Sequence, residues 1–248
     1  MGVIATDEWL EKEKDQPVEL CKRANPEIEN PYHFYLYLCK FGMYEVNRYV
    51  DDSIQMLKNK HMWKKLETIY QKYKKRWNGH ELDIYLFPIN RSYRTIQRNG
   101  LAFKDKIFLF LGDVSDKEME AQFIHEYHHS VRMNQLAKNE KEYTLLDSLV
   151  FEGLADHAVL LYCGKDYTIT FTRAYDEAYL DQCWETQYEK HLHKTRDDPI
   201  HDYLLFGPKR NPMLGYAIGN RLIEQHINKK KISIHDTFTM ESEQFLPK

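Results

Sequence analysis

The residues most suited to chemistry in this 248-residue chain are His125, Glu126 and His129. They form the pattern His-Glu-x-x-His, with which a helix presents two imidazoles to one zinc ion. Four residues along an α-helix correspond to a rotation of roughly 40°, so the two histidines lie one turn apart on the same face. Glu126 lies about 100° away from His125, within reach of a water held by the metal. The pattern therefore predicts a metal-dependent hydrolase that acts on peptides.

The sequence around this pattern is that of a helix, predicted over residues 117–137, with one buried side. Four apolar residues gather on the side away from the histidines: Phe123, Ile124, Tyr127 and Val131. Three polar residues share the histidine face: Glu118, Gln122 and Arg132. We therefore expect a helix whose back lies in a core and whose front lines a polar cleft. The alternative is a histidine-rich surface helix that carries the pattern by chance.

A third metal ligand is expected in the next strongly patterned segment, residues 145–161. This segment is apolar on nearly all sides, which predicts a buried helix that ends near Gly164. A carboxylate inside such a helix is costly unless it is paired or bound to a metal. Glu152 can therefore complete the zinc site, while Asp156, four residues later on the same face, accepts the second ring N–H of a ligand histidine. The alternative is that Glu152 pairs with a nearby Arg or Lys.

Other metal sites fit the sequence less well. A three-histidine site would need Gly and His three and six residues after His129, but these positions hold Arg132 and Gln135. A di-iron carboxylate site would need a second Glu-x-x-His element, which the chain lacks. His128 lies near the ligand face, and we interpret it as a histidine packed beside the site.

The two motifs together resemble the gluzincin arrangement of zinc metallopeptidases. More narrowly, the chain resembles the YjaZ-like family of predicted zinc-dependent proteases over roughly residues 80–230. Three segments carry this resemblance: residues 123–132, residues 151–159 and residues 211–219, the last of which contains Gly-Tyr-x-x-Gly. The resemblance implies a zincin-like domain, a Zn²⁺ cofactor and a peptide or protein substrate. It implies that His125, His129 and Glu152 bind the metal, that Glu126 is the catalytic base and that Asp156 supports a ligand histidine.

The third segment adds a catalytic candidate, Tyr216, which the resemblance suggests as the residue that stabilises the tetrahedral oxyanion. In the alternative interpretation, Gly215 and Gly219 only allow close helix packing and Tyr216 is a core aromatic residue. Three further residues compete for the oxyanion role: His201, Arg221 and His226.

The predicted fold class is α+β, mainly helical, with a small antiparallel or mixed sheet that precedes the zinc helix. Residues 82–87 are predicted to form a strand that Pro88 ends. Residues 100–103 and 107–111 are predicted to form a hairpin with its turn at 104–106. In metallopeptidases of this type an exposed edge strand binds the substrate backbone by strand addition. Either hairpin strand is a candidate for that edge.

The remaining segments are predicted with less detail. Residues 7–30 are expected to form a short helix with an irregular lead-in, and residues 32–75 two or three helices. After Gly164 the chain is expected to be mainly helical to about Lys229, with a peripheral tail from Lys231. We expect residues 1–78 to form a helical segment packed on a zincin-like domain of residues 79–248.

Composition argues against several partners. Thirty-five basic and 38 acidic residues give a net charge of −3, which offers no electrostatic reason to expect nucleic acid. No apolar run is long enough to cross a bilayer, and no secretory signal is visible. Four scattered cysteines fit a reducing compartment. We therefore expect a cytoplasmic protein without a membrane partner, and the sequence leaves the oligomeric state open.

Two functions from other classes remain alternatives to the peptidase. The chain could be a non-catalytic, zinc-stabilised helical binding module, in which His128 or His157 closes the metal site as a fourth ligand. It could also be a metal-free helical scaffold that carries the pattern by accident.

Overall fold

The structure, a computed structural model, describes residues 1–91, 97–136 and 138–247. The fold is α+β and mainly helical with one small mixed sheet, which confirms the predicted class. The chain divides into two compact units, Met1–Ser130 and Val131–Lys248. The domain boundary expected at residues 78/79 stays a prediction. None of the helices in the described ranges combines the length and apolar character needed to cross a membrane.

Between residues 6 and 77 the chain forms five helices, and the sequence explains where two of them begin. Pro17 and Pro31 occupy the first turn of two of them, where a missing N–H costs no hydrogen bond. Asn30 caps the second of these by accepting a hydrogen bond from the His33 N–H. Residues 7–30 thus hold two helices, whereas the sequence predicted one. The bounds are α1 Thr6–Glu13, α2 Pro17–Ala24, α3 Pro31–Lys40, α4 Val50–Asn59 and α5 Met62–Trp77.

Within the described ranges, the sheet has four strands in the order β1-β2-β4-β3. Their bounds are β1 Gly2–Val3, β2 Asp83–Pro88, β3 Arg98–Ala102 and β4 Lys106–Leu111. β1 and β4 pair with β2 in parallel, and β3 pairs with β4 antiparallel. The predicted strand and hairpin are confirmed, although Pro88 lies inside β2. Since β4 lies between β2 and β3, the expectation that residues 107–111 could be the exposed edge is wrong; β3 is the edge strand of the hairpin.

The His-Glu-x-x-His motif lies in helix α6, Asp116–Leu136, and the predicted end of this helix at residue 137 lies outside the described residues. Ser115 and Glu118 form a reciprocal cap at its start. The back of the helix packs on α5, where Tyr127 stacks on Trp77 with ring centroids 5.5 Å apart. Tyr127 also stacks on Phe123 at 5.2 Å. These contacts confirm the predicted buried side of α6 and fix which face carries the histidines.

The second unit is built around helix α7, which the sequence predicted as a buried helix. Thr144 and Asp147 form a capping box at its start, and Gly164 follows its last residue as predicted. Short 3₁₀ and π turns connect the other helices. The bounds are α7 Leu145–Cys163, α8 Glu177–Cys183, α9 Pro199–Phe206, α10 Leu214–Lys229 and α11 Asp236–Thr239.

Glycines bring α10 into close contact with its neighbours. A Cβ atom at Gly219 would lie 2.1 Å from the Leu149 carbonyl oxygen on α7, and one at Gly153 would lie 2.4 Å from the Gly219 carbonyl oxygen. A Cβ at Gly215 would lie 2.4 Å from the Leu205 carbonyl oxygen on α9. The glycines of the Gly-Tyr-x-x-Gly segment therefore serve close backbone packing.

The prediction that the tail from Lys231 is peripheral is wrong. Thr237, Phe238, Ser242 and Phe245 are all buried. Two of these four residues, Thr237 and Ser242, are polar, so the tail lacks the apolar pattern that would reveal its burial.

Candidate metal centre

His125 and His129 lie on consecutive turns of α6 with their imidazoles facing one another. Their Nε2 atoms are 3.1 Å apart, and the ring planes are nearly perpendicular at 87°. Two nitrogen donors bound tetrahedrally to one zinc ion at about 2.05 Å lie roughly 3.3 Å from each other. The two histidines are therefore spaced as donors that share one ion.

Glu152 on α7 joins the two histidines. One donor atom each from His125, His129 and Glu152 lies within 4.8 Å of the other two, and all three residues are half-buried. In the part of the chain that the structure describes, no other cluster of His, Cys, Asp or Glu could hold a metal. The structure thus brings together the three residues that the sequence singled out as ligands.

The chemistry of this donor set fits zinc. Two imidazoles and a carboxylate form one of the usual ligand sets of catalytic zinc, which keeps a fourth position for water or substrate. A structural zinc site would instead be closed by four protein ligands. Neither His128 nor His157 belongs to the donor cluster.

Glu126 is buried, with 5% of its surface exposed, and lies outside the donor cluster. Its Oε1 accepts a hydrogen bond of 2.8 Å from Gln122 Nε2, one turn earlier on α6. Its side chain lies against Gly100 of β3, where an added Cβ would be 2.6 Å from Glu126 Cγ. The carboxylate is therefore held between an amide donor and the backbone of the edge strand.

Asp156 lies one turn after Glu152 and is also buried. It accepts hydrogen bonds from the Ile169 N–H at 2.9 Å and from Asn220 Nδ2 at 2.7 Å. These bonds tie α7 to the segment that follows it and to α10. A carboxylate has acceptor sites beyond these two, so the expected bond from a ligand histidine stays a prediction. Sequence reasoning missed Asn220, whose only signal was its position directly after Gly219.

Tyr216 lies in the first turn of α10 and is partly buried, with its ring 6.4 Å from that of Phe206. Its role in stabilising an oxyanion stays a prediction. Two competitors are engaged elsewhere. Arg221 forms ion pairs with Glu177 at 2.7 Å and Asp181 at 3.3 Å, and His226 lies against Phe245 with ring centroids 4.8 Å apart.

The third competitor, His201, is fully buried and uses both ring nitrogens. Its Nε2 is 3.0 Å from Ser148 Oγ, and its Nδ1 is 2.8 Å from Asp202 Oδ1. This Ser-His-Asp row has the residue types of a nucleophilic triad, but Ser148 is itself buried in α7. The row therefore serves to join α7 to α9.

Two polar residues of α6, His128 and Arg132, are fully buried and do not line a solvent-exposed cleft. His128 is fully buried with its ring edge-to-face against Trp77 at 6.1 Å, which agrees with its interpretation as a packed histidine. Arg132 was expected to line the polar cleft, and this expectation is wrong: it is fully buried and donates to the Thr237 carbonyl at 2.6 Å. A residue 105 positions later in the chain provides this acceptor, so no local pattern could indicate it.

Comparison with known proteins places this chain in a family. The family model described as "Predicted Zn-dependent protease (DUF2268)" matches residues 62–247. The chain belongs to this family. It is also 34% identical over 212 residues to "Uncharacterized protein YjaZ" of Bacillus subtilis (strain 168), which covers 83% of this chain and 81% of the relative. No solved structure matches the chain.

Family membership confirms the resemblance inferred from the three sequence motifs. The matched span of this predicted Zn-dependent protease family includes helices α6, α7 and α10, which carry the donor cluster and the Gly-Tyr-x-x-Gly segment. It also includes strands β2, β3 and β4.

Proposed function

We propose that the protein is a zinc-dependent peptidase in which His125, His129 and Glu152 hold the metal and Glu126 is the general base. The observation that carries this proposal is the approach of three donors to within 4.8 Å of one another, with the buried residue Glu126 directly after His125 on α6. Three protein donors are the number typical of catalytic zinc. The family description points to the same reaction class.

A zinc ion bound by these donors supplies a Lewis acid that polarises a substrate carbonyl and makes water more acidic. The residues of the chain provide proton transfer. Glu126 accepts a proton from the attacking water and delivers it to the leaving amine. Gln122 orients the carboxylate through its hydrogen bond, and Gly100 limits how far the side chain can swing. Low exposure of Glu126 also excludes bulk water from the proton transfer.

Substrate binding is assigned to β3, the edge strand of the hairpin. An extended peptide pairs with an exposed strand edge through backbone hydrogen bonds. The Gly100 N–H donates to Asn99 Oδ1 at 2.9 Å and is available for exchange with a substrate carbonyl. Because Gly100 also contacts Glu126, a peptide paired at this position lies next to the general base.

The test is a comparison of the wild-type protein with Glu126→Gln. We expect wild-type protein to carry one zinc per chain and to cleave members of a quenched fluorescent peptide library. Glu126→Gln should keep its zinc by elemental analysis and lose about 10²- to 10⁴-fold in hydrolysis, the usual contribution of a general base. Glu118→Gln, the same chemical change two turns earlier on α6, is the matched control and should remain active.

Two outcomes would contradict the proposal. Equal turnover by Glu126→Gln and wild type would remove Glu126 from the mechanism. A zinc-loaded wild type that cleaves no peptide, with four protein ligands in its X-ray absorption spectrum, would favour a closed structural zinc site and a non-catalytic binding module.

A further inference from the structure

Helix α6 carries a buried cation, Arg132, beyond the two histidines of the donor cluster. Arg132 lies three residues after His129, about 4.5 Å further along the helix, and seven residues after His125 on nearly the same face. Its side chain is fully buried. Burying an isolated guanidinium is costly, so the residues that surround it must compensate the charge.

The C-terminal segment, residues 233–245, provides part of this compensation. Arg132 Nη1 donates to the Thr237 carbonyl at 2.6 Å, and Nη2 donates to Ser242 Oγ at 3.4 Å. Ser242 Oγ in turn donates to Asp147 Oδ1 at 2.7 Å, while Lys138 Nζ donates to Asp147 Oδ2 at 2.6 Å. The buried cation is thus connected through one hydroxyl group to a buried carboxylate.

The charge states of this network are set by its contacts. Burial alone would raise the pKa of Asp147, but hydrogen bonds from Lys138 and Ser242 outweigh it and lower that pKa. Burial lowers the pKa of Arg132 to about 10, which leaves the guanidinium charged at neutral pH. Arg132 and Asp147 therefore remain a charged pair linked through Ser242.

Arg132 also contacts the helix that bears the third donor. Its guanidinium carbon lies over the ring of Phe151 at 5.1 Å from the centroid, a cation–π contact. Phe151 directly precedes Glu152 on α7. On α6, Arg132 follows His129 by three residues. The same side chain thus contacts the ligand-bearing turn of α7 and belongs to the turn of α6 that follows a ligand.

We propose that Arg132 is a positioning residue for the metal centre and that the C-terminal segment is a structural part of that centre because it holds the Arg132 side chain. This inference rests on the proposed zinc site. Its consequence is that zinc affinity depends on residues more than a hundred positions after the histidine ligands.

The first test is Arg132→Met, which removes the charge and the forked donors but keeps an unbranched stem. Zinc affinity is measured on the full chain by competition with a chromogenic chelator, and folding by circular dichroism. Replacing groups that orient metal ligands usually weakens binding 10- to 100-fold, and we expect about a tenfold loss. Saturating zinc should restore most peptide hydrolysis, because Arg132 does not touch the substrate. Arg132→Lys keeps the positive charge but loses the forked donors, so its zinc affinity should lie between those of the wild type and Arg132→Met.

A second variant keeps the test decisive if Arg132→Met does not fold. Ser242→Ala removes only the hydroxyl that connects Arg132 to Asp147 and should weaken zinc binding in the same direction by a smaller factor. The double variant should bind zinc no more weakly than Arg132→Met alone, because both changes break one network. Tyr188→Phe is the control: it deletes a different buried hydrogen bond in the same unit, to the Leu204 carbonyl at 2.8 Å, and should leave zinc affinity unchanged.

The outcomes separate this inference from the proposed function. Stoichiometric zinc in the wild type with unchanged affinity in the folded Arg132 and Ser242 variants would overturn the positioning role and leave the peptidase proposal intact. Absence of zinc binding by the wild type would instead overturn the metal site itself.

Discussion

The backbone of Gly100 lies directly against the side chain of Glu126. A Cβ atom built on Gly100 would lie 2.6 Å from Glu126 Cγ and 2.7 Å from Glu126 Oε1. Contacts this short force one of the two groups to move. The missing side chain on the edge strand therefore provides the space in which the proposed general base is held.

The first prediction concerns Gly100→Ala. The added methyl group should displace the Glu126 carboxylate while leaving the three metal donors in place. Because a shift of about 1 Å in a catalytic group can cost 10²-fold in rate, we expect a loss of about that size in kcat. Zinc content should stay at the wild-type level. Peptide hydrolysis and elemental analysis on the same preparation measure both quantities.

The control for Gly100→Ala is a variant that lowers stability without touching Glu126. Ile84→Val in β2 removes one buried methylene group and should cost about 1 kcal/mol of unfolding free energy. Its activity should match the wild type. If Gly100→Ala is equally active, the close contact between β3 and Glu126 has no part in catalysis.

The sequence predicted helices α6 and α7, which carry the donor cluster, because their signals are local. Helical spacing places His125 and His129 one turn apart, and the apolar length of α7 marks Glu152 as a carboxylate in need of a partner. The hairpin was equally readable from short β-rich runs separated by a turn. In each case, residues within about 20 positions of one another determine the outcome.

What the sequence did not reveal depends on residues far apart in the chain. The place of β4 between β2 and β3 is set by pairing between strands, which no single strand encodes. The burial of Arg132 depends on Thr237 and Ser242, two polar residues whose own burial no apolar pattern indicates. Asn220 contacts Asp156 across 64 positions of sequence. Such contacts follow from packing, and one sequence does not display them.

The second prediction concerns removal of metal donors. His129→Ala deletes an imidazole, and Glu152→Gln replaces a carboxylate by a neutral amide of the same size. Both variants should lose stoichiometric zinc, because two remaining donors hold the ion poorly. His193→Ala, which removes an exposed histidine outside the donor cluster, should keep it. Full zinc content in Glu152→Gln would mean that this side chain is not a ligand.

The third prediction concerns the contact between α7 and α10. In Gly219→Ala the new Cβ would lie 2.1 Å from the Leu149 carbonyl oxygen, a backbone atom that cannot rotate away. Forcing the helices apart should cost about 1–3 kcal/mol of unfolding free energy in urea, the usual range for overpacking. Since Gly153 lies at the same crossing and adjoins Glu152, zinc affinity should also fall. Glu224→Ala, at an exposed position on α10, should change stability by about 0.5 kcal/mol or less.

The fourth prediction is a pH dependence centred on Glu120 of α6. Its carboxylate accepts hydrogen bonds from Lys72 Nζ at 2.6 Å, Tyr73 Oη at 2.8 Å and Lys117 Nζ at 2.8 Å. Burial alone would raise the pKa of Glu120, but these three donors outweigh it and lower the pKa to about 2. A carboxyl whose pKa is lower in the folded state stabilises that state above its unfolded pKa of about 4.3. This stabilisation is lost as the pH falls towards 2.

Glu120→Gln should therefore lower the free energy of unfolding at pH 7 by an amount on the order of 3 kcal/mol at most, the value that corresponds to the pKa difference. The deficit in unfolding free energy relative to wild type should shrink as the pH is lowered from 5 to 3. Over this range the wild type loses the stabilisation that the ionised Glu120 carboxylate provides. Urea unfolding at several pH values measures it, with the exposed Glu185→Gln as the control. A deficit that stays constant from pH 7 to pH 3 would show that Glu120 contributes through shape and neutral hydrogen bonding, since neither of these depends on its ionisation.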